Sequence, residues 1–597
     1  MSEPPLSFPT PTTRARPPGV ATRTGRDHTG PEHARRSGGS SGAGGGRRAQ
    51  LDRSSLWTAA GTLLSRLSGL ARLIVLAGAL GGASLANGFN LANNTPNMVH
   101  DLVLGGVLAA TFVPVFVERL ATRDRASATE SISAVVSLAL VVLVVATVLL
   151  VVLAPEVIGA YTDGASAASP AARAVAVELL RWFAPQVLFY GLVSLMGAVL
   201  ATQDRFAVVG VVPVLNNLAG IGVLLAFALS AHHLAVDGTV SIAAAQRDQH
   251  LVVLLGLGTT CGVAVQALAL VPAVLRSGMR LRFTWRPRDP AVRTILALSG
   301  WTFGFVVANQ VAVFVVLALE YHLGGGSVSA YTYAYQFFVF PFAVVAVSVI
   351  NVASPDMARA WTSGDVGSMS ARYARATRQT LALVLPSAIG YLLLARQAMV
   401  LLLQHGAEHH HDAELTASVL AMFALGLPGF CVFFLTTRAF QAMHDTRTAF
   451  VCYALENGTN VLLAFVLDTP LGVRGLALSY SVAYTVSAIV AIAILRERLG
   501  HIGGRSLLLG AGRAVLLSVV MAFAVALVSA LVGSGTGIVG WAKLGVEVLA
   551  GGLVYLGGAG AAGSLAAWQT SRQAARGGRS HTRRDGARSS YRHRQRG

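Results

Sequence analysis

Apolar residues run along this chain in blocks of about twenty, each long enough to cross the hydrocarbon core of a bilayer as a helix and each followed by a polar loop. The blocks predict helices near 56–80, 86–117, 131–154, 177–202, 207–230 and 250–275. A second set falls near 291–320, 327–354, 377–403, 414–442, 447–467, 472–495, 507–532 and 539–568. The pattern therefore predicts an all-α polytopic membrane protein with about fourteen transmembrane helices.

Loop charge tests that count independently. If the N-terminus lies inside, arginine belongs in the loops that follow the even-numbered spans. Those loops hold Arg119, Arg123 and Arg125; Arg205; Arg276, Arg280, Arg282, Arg286 and Arg288; Arg359, Arg372 and Arg375; Arg447; and Arg496, Arg498 and Arg505. The intervening loops are poor in arginine and carry Glu156, Asp163, Asp237 and the stretch from Glu408 to Asp412. A missed span would scramble this alternation, so an even count with both termini cytoplasmic is expected.

Composition agrees with a lipid-solvated chain: 54% of residues are hydrophobic and 12% charged, against roughly 25% charged in soluble domains. The net charge of +19 sits mostly in the two tails and in alternate loops. That distribution reads as topology and contact with anionic membrane lipids, not nucleic-acid binding. Residues 1–53 are rich in Arg, Pro, Gly and Ser and lack the apolar region of a signal peptide. They read as a disordered basic cytoplasmic tail, as do the Arg-rich residues 569–597. Cys261, Cys431 and Cys452 each lie in an apolar run without metal-ligand spacing and read as small buried hydrophobes.

A repeat is visible in the landmarks. Pro114 and Pro355, Asp204 and Asp445, and Asn216 and Asn457 are all separated by 241 residues. This predicts two homologous six-helix lobes, residues 54–276 and 277–500, followed by two extra helices in residues 501–568, with a cavity between the lobes.

Polar groups inside a span are costly and mark a cavity or pathway. The first span carries Arg66 and Arg72, about 120° apart on a helix of 3.6 residues per turn, so that both can reach one aqueous cavity from adjacent faces. Arg66, nearer the inside end, can alternatively snorkel to the headgroups. The second span carries Asn87, Asn90, Asn94, Asn97 and Asp101 on one helical stripe, broadened by Asn93 and His100, with Pro96 expected to kink the helix. The stripe is either a cavity wall or glue between helices. In the second lobe the candidates are Asn309, Gln310, Gln336, Asn351, Arg438, Glu456, Asn457 and Asn460, with Arg438 and Glu456 able to pair with each other. His409, His410 and His411 in an outside loop lack a second ligand cluster and read as a solvated loop, not a metal site. No nucleotide-binding loop, paired-carboxylate arrangement or nucleophile elbow appears in the inside loops, so neither a cofactor nor an enzymatic activity is expected.

Several stretches resemble the lipid II flippase family (MurJ, also called MviN), within the superfamily that holds the MATE exporters and polysaccharide flippases. They are Ser65-Arg66-Leu67-Ser68-Gly69-Leu70-Ala71-Arg72, Asn94-Thr95-Pro96-Asn97, Leu104-Gly105-Gly106-Val107-Leu108, Phe112-Val113-Pro114, Met443-His444-Asp445-Thr446-Arg447-Thr448 and Gly472-Val473-Arg474-Gly475-Leu476-Ala477. The resemblance spans about residues 55–500, and the Leu-Gly-Gly form looks actinobacterial. It implies two six-helix lobes around a cationic cavity in a bacterial plasma membrane, a groove for the polyprenyl tail on the last two helices, and a diphosphate held by Arg66 and Arg72. The chain departs from the family at Asn87, where an acid is often found, at His100, where many members have a basic residue, and at Tyr335 and Gln336, where other branches carry an acid and an arginine.

The expected function is transport of the undecaprenyl-diphosphate-linked peptidoglycan precursor by alternating access. The alternatives are a cation-coupled exporter of drugs or another lipid-linked glycan, with Asp101 or Glu456 as coupling acid, and a non-transporting scaffold that holds cell-wall synthesis proteins through its Arg-rich tails.

Overall fold

The computed structural model describes residues 41–81, 84–105, 112–122, 124–165, 169–203, 206–235, 240–279, 281–404, 410–533 and 537–561. Residues 54–597 form one compact unit, to which the following refers, and residues 1–53 another, of which 41–53 are helical.

The described residues are almost entirely helical. In order they form α1 (Ser41–Leu80), α2 (Ser84–His100), α3 (Val113–Thr122), α4 (Arg125–Val152), α5 (Ala154–Thr162), α6 (Pro170–Phe183) and α7 (Gln186–Ala201). Then come α8 (Phe206–Val211), α9 (Pro213–Ala231), α10 (Ile242–Arg247), α11 (Gln249–Leu275), α12 (Pro290–Leu323), α13 (Ser327–Pro341) and α14 (Val347–Thr362). The chain continues through α15 (Val366–Leu403), α16 (His410–Ala442), α17 (Thr446–Leu471), α18 (Val473–Leu499), α19 (Gly504–Val532) and α20 (Gly537–Ala561). Apolar runs form the helices, and small polar residues start them. Asp124, Ser169, Ser241, Asp365 and Asp445 each accept a backbone N–H of the first turn. Glycines with positive φ end others, including Gly324, Gly472 and Gly500.

Thirteen helices among the described residues are long and apolar enough to cross a membrane. The block at 86–117 is missing from that set because it is not one helix. The helix does not break at Pro96, which sits inside α2; it widens one turn later into a π segment at Asp101–Gly105. Residues 106–111 lie outside the described residues, and α3 resumes at Val113. Several helices are longer than the apolar blocks, because polar ends extend them beyond the hydrocarbon. α15 has 38 residues, about 57 Å at 1.5 Å per residue, against a core of about 30 Å.

The 241-residue register recurs in the backbone. A second π segment, Phe342–Ala346, stands 241 positions after the first and joins α13 to α14. The N-caps Asp124 and Asp365 share the same offset and the same bond, to Ser127 N at 3.1 Å and Ser368 N at 2.8 Å. The last residues of α7 and α16, Ala201 and Ala442, are in the same register. Of the landmark pairs, Asp204 lies outside the described residues. Pro114 starts α3, whereas Pro355 lies inside α14.

Packing follows the repeat. α2, α4, α6, α7, α9 and α11 pack chiefly on one another, as do α13 to α18, with α19 against α15. α12 connects the groups, touching α17 and α13 on one side and α4 and α5 on the other. The buried core is dominated by Leu, Val, Ala and Phe and runs through both groups.

Candidate functional site

The cationic face begins on α1. Arg66 is exposed and Arg72 half-buried, and both line a cavity of about 340 Å³ with Asn90, Asn93, Asn94, Asn97, Tyr190, Asn217 and Gln336. α9 sets their position. The Asn217 amide donates to the Ser68 hydroxyl at 2.9 Å and to the Ser65 carbonyl at 3.1 Å, pinning the turn of α1 that carries Arg66. One turn along α9, Gly220 leaves the room that Arg72 fills: a Cβ at Gly220 would fall 2.6 Å from Arg72 Nε.

A second cavity of about 590 Å³ continues from the first, sharing Asn94, Asn97 and Gln336 in its wall. Its lining adds Asp101 from the first π segment, Glu320 from α12, Glu456 and Asn457 from α17, and tyrosines from α13, α17 and α18. One continuous cavity thus has a basic half on the first helix group and an acidic, aromatic half on the second.

The polar stripe of α2 divides along its length. Asn87 and Asn90, both buried, bind across the groups to Ser329 at the start of α13, and Tyr333 donates to the Gly81 carbonyl at 3.3 Å beside them. Farther down α2, Asn94 and Asn97 face the cavity. Asp101 does too, with His100 Nδ1 3.1 Å from its carboxylate. His100 itself turns away from both cavities, its Nε2 lying 3.2 Å from Ser194 Oγ.

In the second group, Gln336 and Glu456 line the cavity and Arg438 does not. Arg438 is exposed and donates to Gln441 at 2.8 Å. It does not pair with Glu456, because it sits four residues from the end of α16 while Glu456 is ten residues into α17, a depth difference of about 9 Å. Asp445 pairs with Arg498 at 3.1 Å. His409 lies outside the described residues; His410 contacts Glu414 and Gln404, and no group of three or more His, Cys, Asp or Glu able to hold a metal occurs among the described residues.

Three contributors escaped the sequence pattern. Asn217 supports the arginines, whereas its neighbour Asn216, the repeat landmark, faces Gly262 of α11. Glu320 lies near the edge of its apolar block but is turned inward, because α12 continues to Leu323. The tyrosines are spread over three helices, and their convergence is tertiary.

A membrane-spanning α-helical bundle of two related halves, enclosing a cavity with basic residues at one end and acidic residues at the other, is the architecture of a transporter. The model of the family described as Lipid II flippase MurJ matches residues 76–544, and the chain belongs to that family. It is 29% identical over 447 residues to the probable lipid II flippase MurJ of Rhizobium meliloti, covering 74% of this chain and 80% of that one. It is 27% identical to the lipid II flippase MurJ of Burkholderia cenocepacia, covering 73% and 82%. Among solved structures, a lipid II flippase MurJ in an inward closed conformation superposes with TM-score 0.67 at 20% identity over 84% of this chain and 98% of that one. An inward-facing multidrug resistance MATE transporter superposes with TM-score 0.60 at 16% identity, covering 73% and 94%.

Proposed function

We propose that this protein moves lipid II from the inner to the outer leaflet of the bacterial plasma membrane by alternating access, without covalent chemistry. The observation that carries the reading is the pair of arginines on adjacent faces of α1, held by Asn217 and Gly220 at a cavity between two helix groups. A diphosphate entering that cavity loses hydration, and fixed guanidinium groups restore its charge balance with bidentate hydrogen bonds. The two groups serve as the lobes, residues 54–276 and 277–500. The sugars and peptide lie against Asn94, Asn97 and Asp101, while Asn90 is committed to Ser329 and supports the wall. The polyprenyl tail remains in lipid along α19 and α20, whose outer faces expose Leu508, Phe523, Leu531 and Ile538. Both termini lie inside, where the Arg-rich loops meet anionic headgroups.

The test is complementation in cells depleted of their own flippase. Arg66→Ala and Arg72→Ala should each insert normally and fail to support growth, and Lys should rescue only a site that needs charge without the planar fork. Full growth from the double Ala variant at matched membrane levels would overturn the reading. The acidic, aromatic half of the cavity favours a second reading, export of a cationic compound. Depletion that leaves lipid-linked precursor levels unchanged while raising sensitivity to organic cations would establish it instead.

A further inference from the structure

The second half of the cavity has a chemistry that a diphosphate does not use. Among the described residues its lining contains Asp101, which His100 contacts, together with Glu320 and Glu456, and no lysine or arginine. Glu456 is 2% exposed, and its Oε2 has no hydrogen-bond partner. Glu320 is 3% exposed. A carboxylate withdrawn from water without a partner is costly, so such a site is arranged for positive charge that arrives from outside.

The rest of the wall specifies the kind of cation. Tyr331, Tyr335, Tyr480 and Tyr484 line the same space. The rings of Tyr335 and Tyr480 stand edge to face at 5.8 Å with their hydroxyls 3.4 Å apart, and Tyr480 packs on Tyr484 at 4.6 Å. Aromatic faces attract ammonium groups, and more strongly when both are desolvated. A bare metal ion prefers a tight cage of oxygens, whereas this space measures about 590 Å³, within the range of small-molecule sites.

We infer that this half of the cavity binds an organic primary ammonium group, carried on the amino-bearing side chain of the peptide of the transported lipid. The assignment of the ammonium to the substrate rests on the function proposed above. It gives the substrate a direction, with its anionic end on Arg66 and Arg72 and its cationic end between Glu320 and Glu456.

The experiment uses the full-length protein in proteoliposomes and two lipid II preparations that differ only in the peptide side-chain amine, free in one and N-acetylated in the other. Wild type should flip the free-amine lipid about tenfold faster at subsaturating concentration. Glu320→Gln and Glu456→Gln should bring that ratio toward one. Equal wild-type rates on the two lipids would overturn the inference, and need no variant to fold. A ratio unchanged in both variants, with both lipids slowed, would also overturn it and assign the acids to a small inorganic cation or a proton. If neither lipid moves, the transport reading fails, and the pocket is judged on binding alone. Thermal stabilisation of wild type by pentylammonium but not by sodium, lost in the double Gln variant, would keep the ammonium site; no stabilisation would overturn it.

Discussion

The carboxamide oxygen of Asn87 accepts two hydrogen bonds from Ser329, one from its backbone N–H at 3.1 Å and one from its hydroxyl at 3.0 Å. Ser329 is the third residue of α13, whose N-cap position is Gly326 and has no side-chain cap. Asn87 therefore performs from α2 the task that an N-cap side chain performs within a helix. The hydroxyl of Ser329 in turn accepts from Asn90 at 3.1 Å. The two halves of the molecule are joined at this end by a helix that borrows its cap, and separating them leaves α13 uncapped.

Asn87→Ala should loosen that end. Losing a cap costs about 1 kcal/mol, and the buried position raises the cost toward roughly 2 kcal/mol. The Ser329 amide should exchange its hydrogen about tenfold faster or more, while amides in α16 keep their protection. Unchanged exchange at Ser329 would mean that the bond does not hold the two groups together.

Gly220→Ala should act on Arg72 without touching the substrate. The added methyl would fall 2.6 Å from Arg72 Nε and 3.0 Å from its Cδ, so the guanidinium must leave its seat. Flipping should fall at least severalfold with insertion and folding yield near normal. Activity equal to wild type would show that Arg72 works from another rotamer.

Of the three cysteines expected to be buried, Cys431 and Cys452 are and Cys261 is exposed, so orientation can be read with an impermeant thiol reagent in whole cells expressing a variant in which Cys261 is replaced. Cysteines placed beside Arg282 and Arg372 should be shielded, and one beside Thr162 should react. Labelling at Arg282 from outside would invert the topology.

Asp445 should matter for folding more than for transport. Its carboxylate caps α17 through Thr448 N at 3.1 Å and the Thr448 hydroxyl at 2.7 Å, and it pairs with Arg498. Asp445→Ala loses the cap and the pair and should lower the yield of folded protein; Asp445→Asn keeps the cap and should lose little, since the pair is partly exposed. Normal yield of the Ala variant with no transport would place Asp445 in the mechanism.

Much of this architecture was legible because a bilayer enforces it. Span length and the apolar blocks follow from hydrocarbon thickness, and Arg66 and Arg72 stood out because charge inside a span is rare. The α2 stripe was legible as a line but not as two functions. Its periodicity says which face Asn87 and Asn97 share, not that Ser329 waits 242 residues away at one depth and open space at another. Asn216 and Asn217 show the same limit, since adjacent helical residues differ by about 100° and only the packing of α9 on α1 and α11 tells which one supports Arg66. Arg438 and Glu456 looked like partners in sequence, and helix depth separates them.

The paired π segments bear on the history of the chain. A π turn in a helix corresponds to one residue inserted into an α-helical register, and here the same anomaly occupies Asp101–Gly105 and Phe342–Ala346, 241 positions apart, in the register of the repeat. Two independent insertions would have had to choose the same position. The simpler order is that a half-length ancestor already carried the extra residue, and that duplication copied it. On that chronology the wide turn is older than the charge difference between the halves: the basic end on α1 and the acidic end on α12 and α17 arose afterwards, as twin copies diverged.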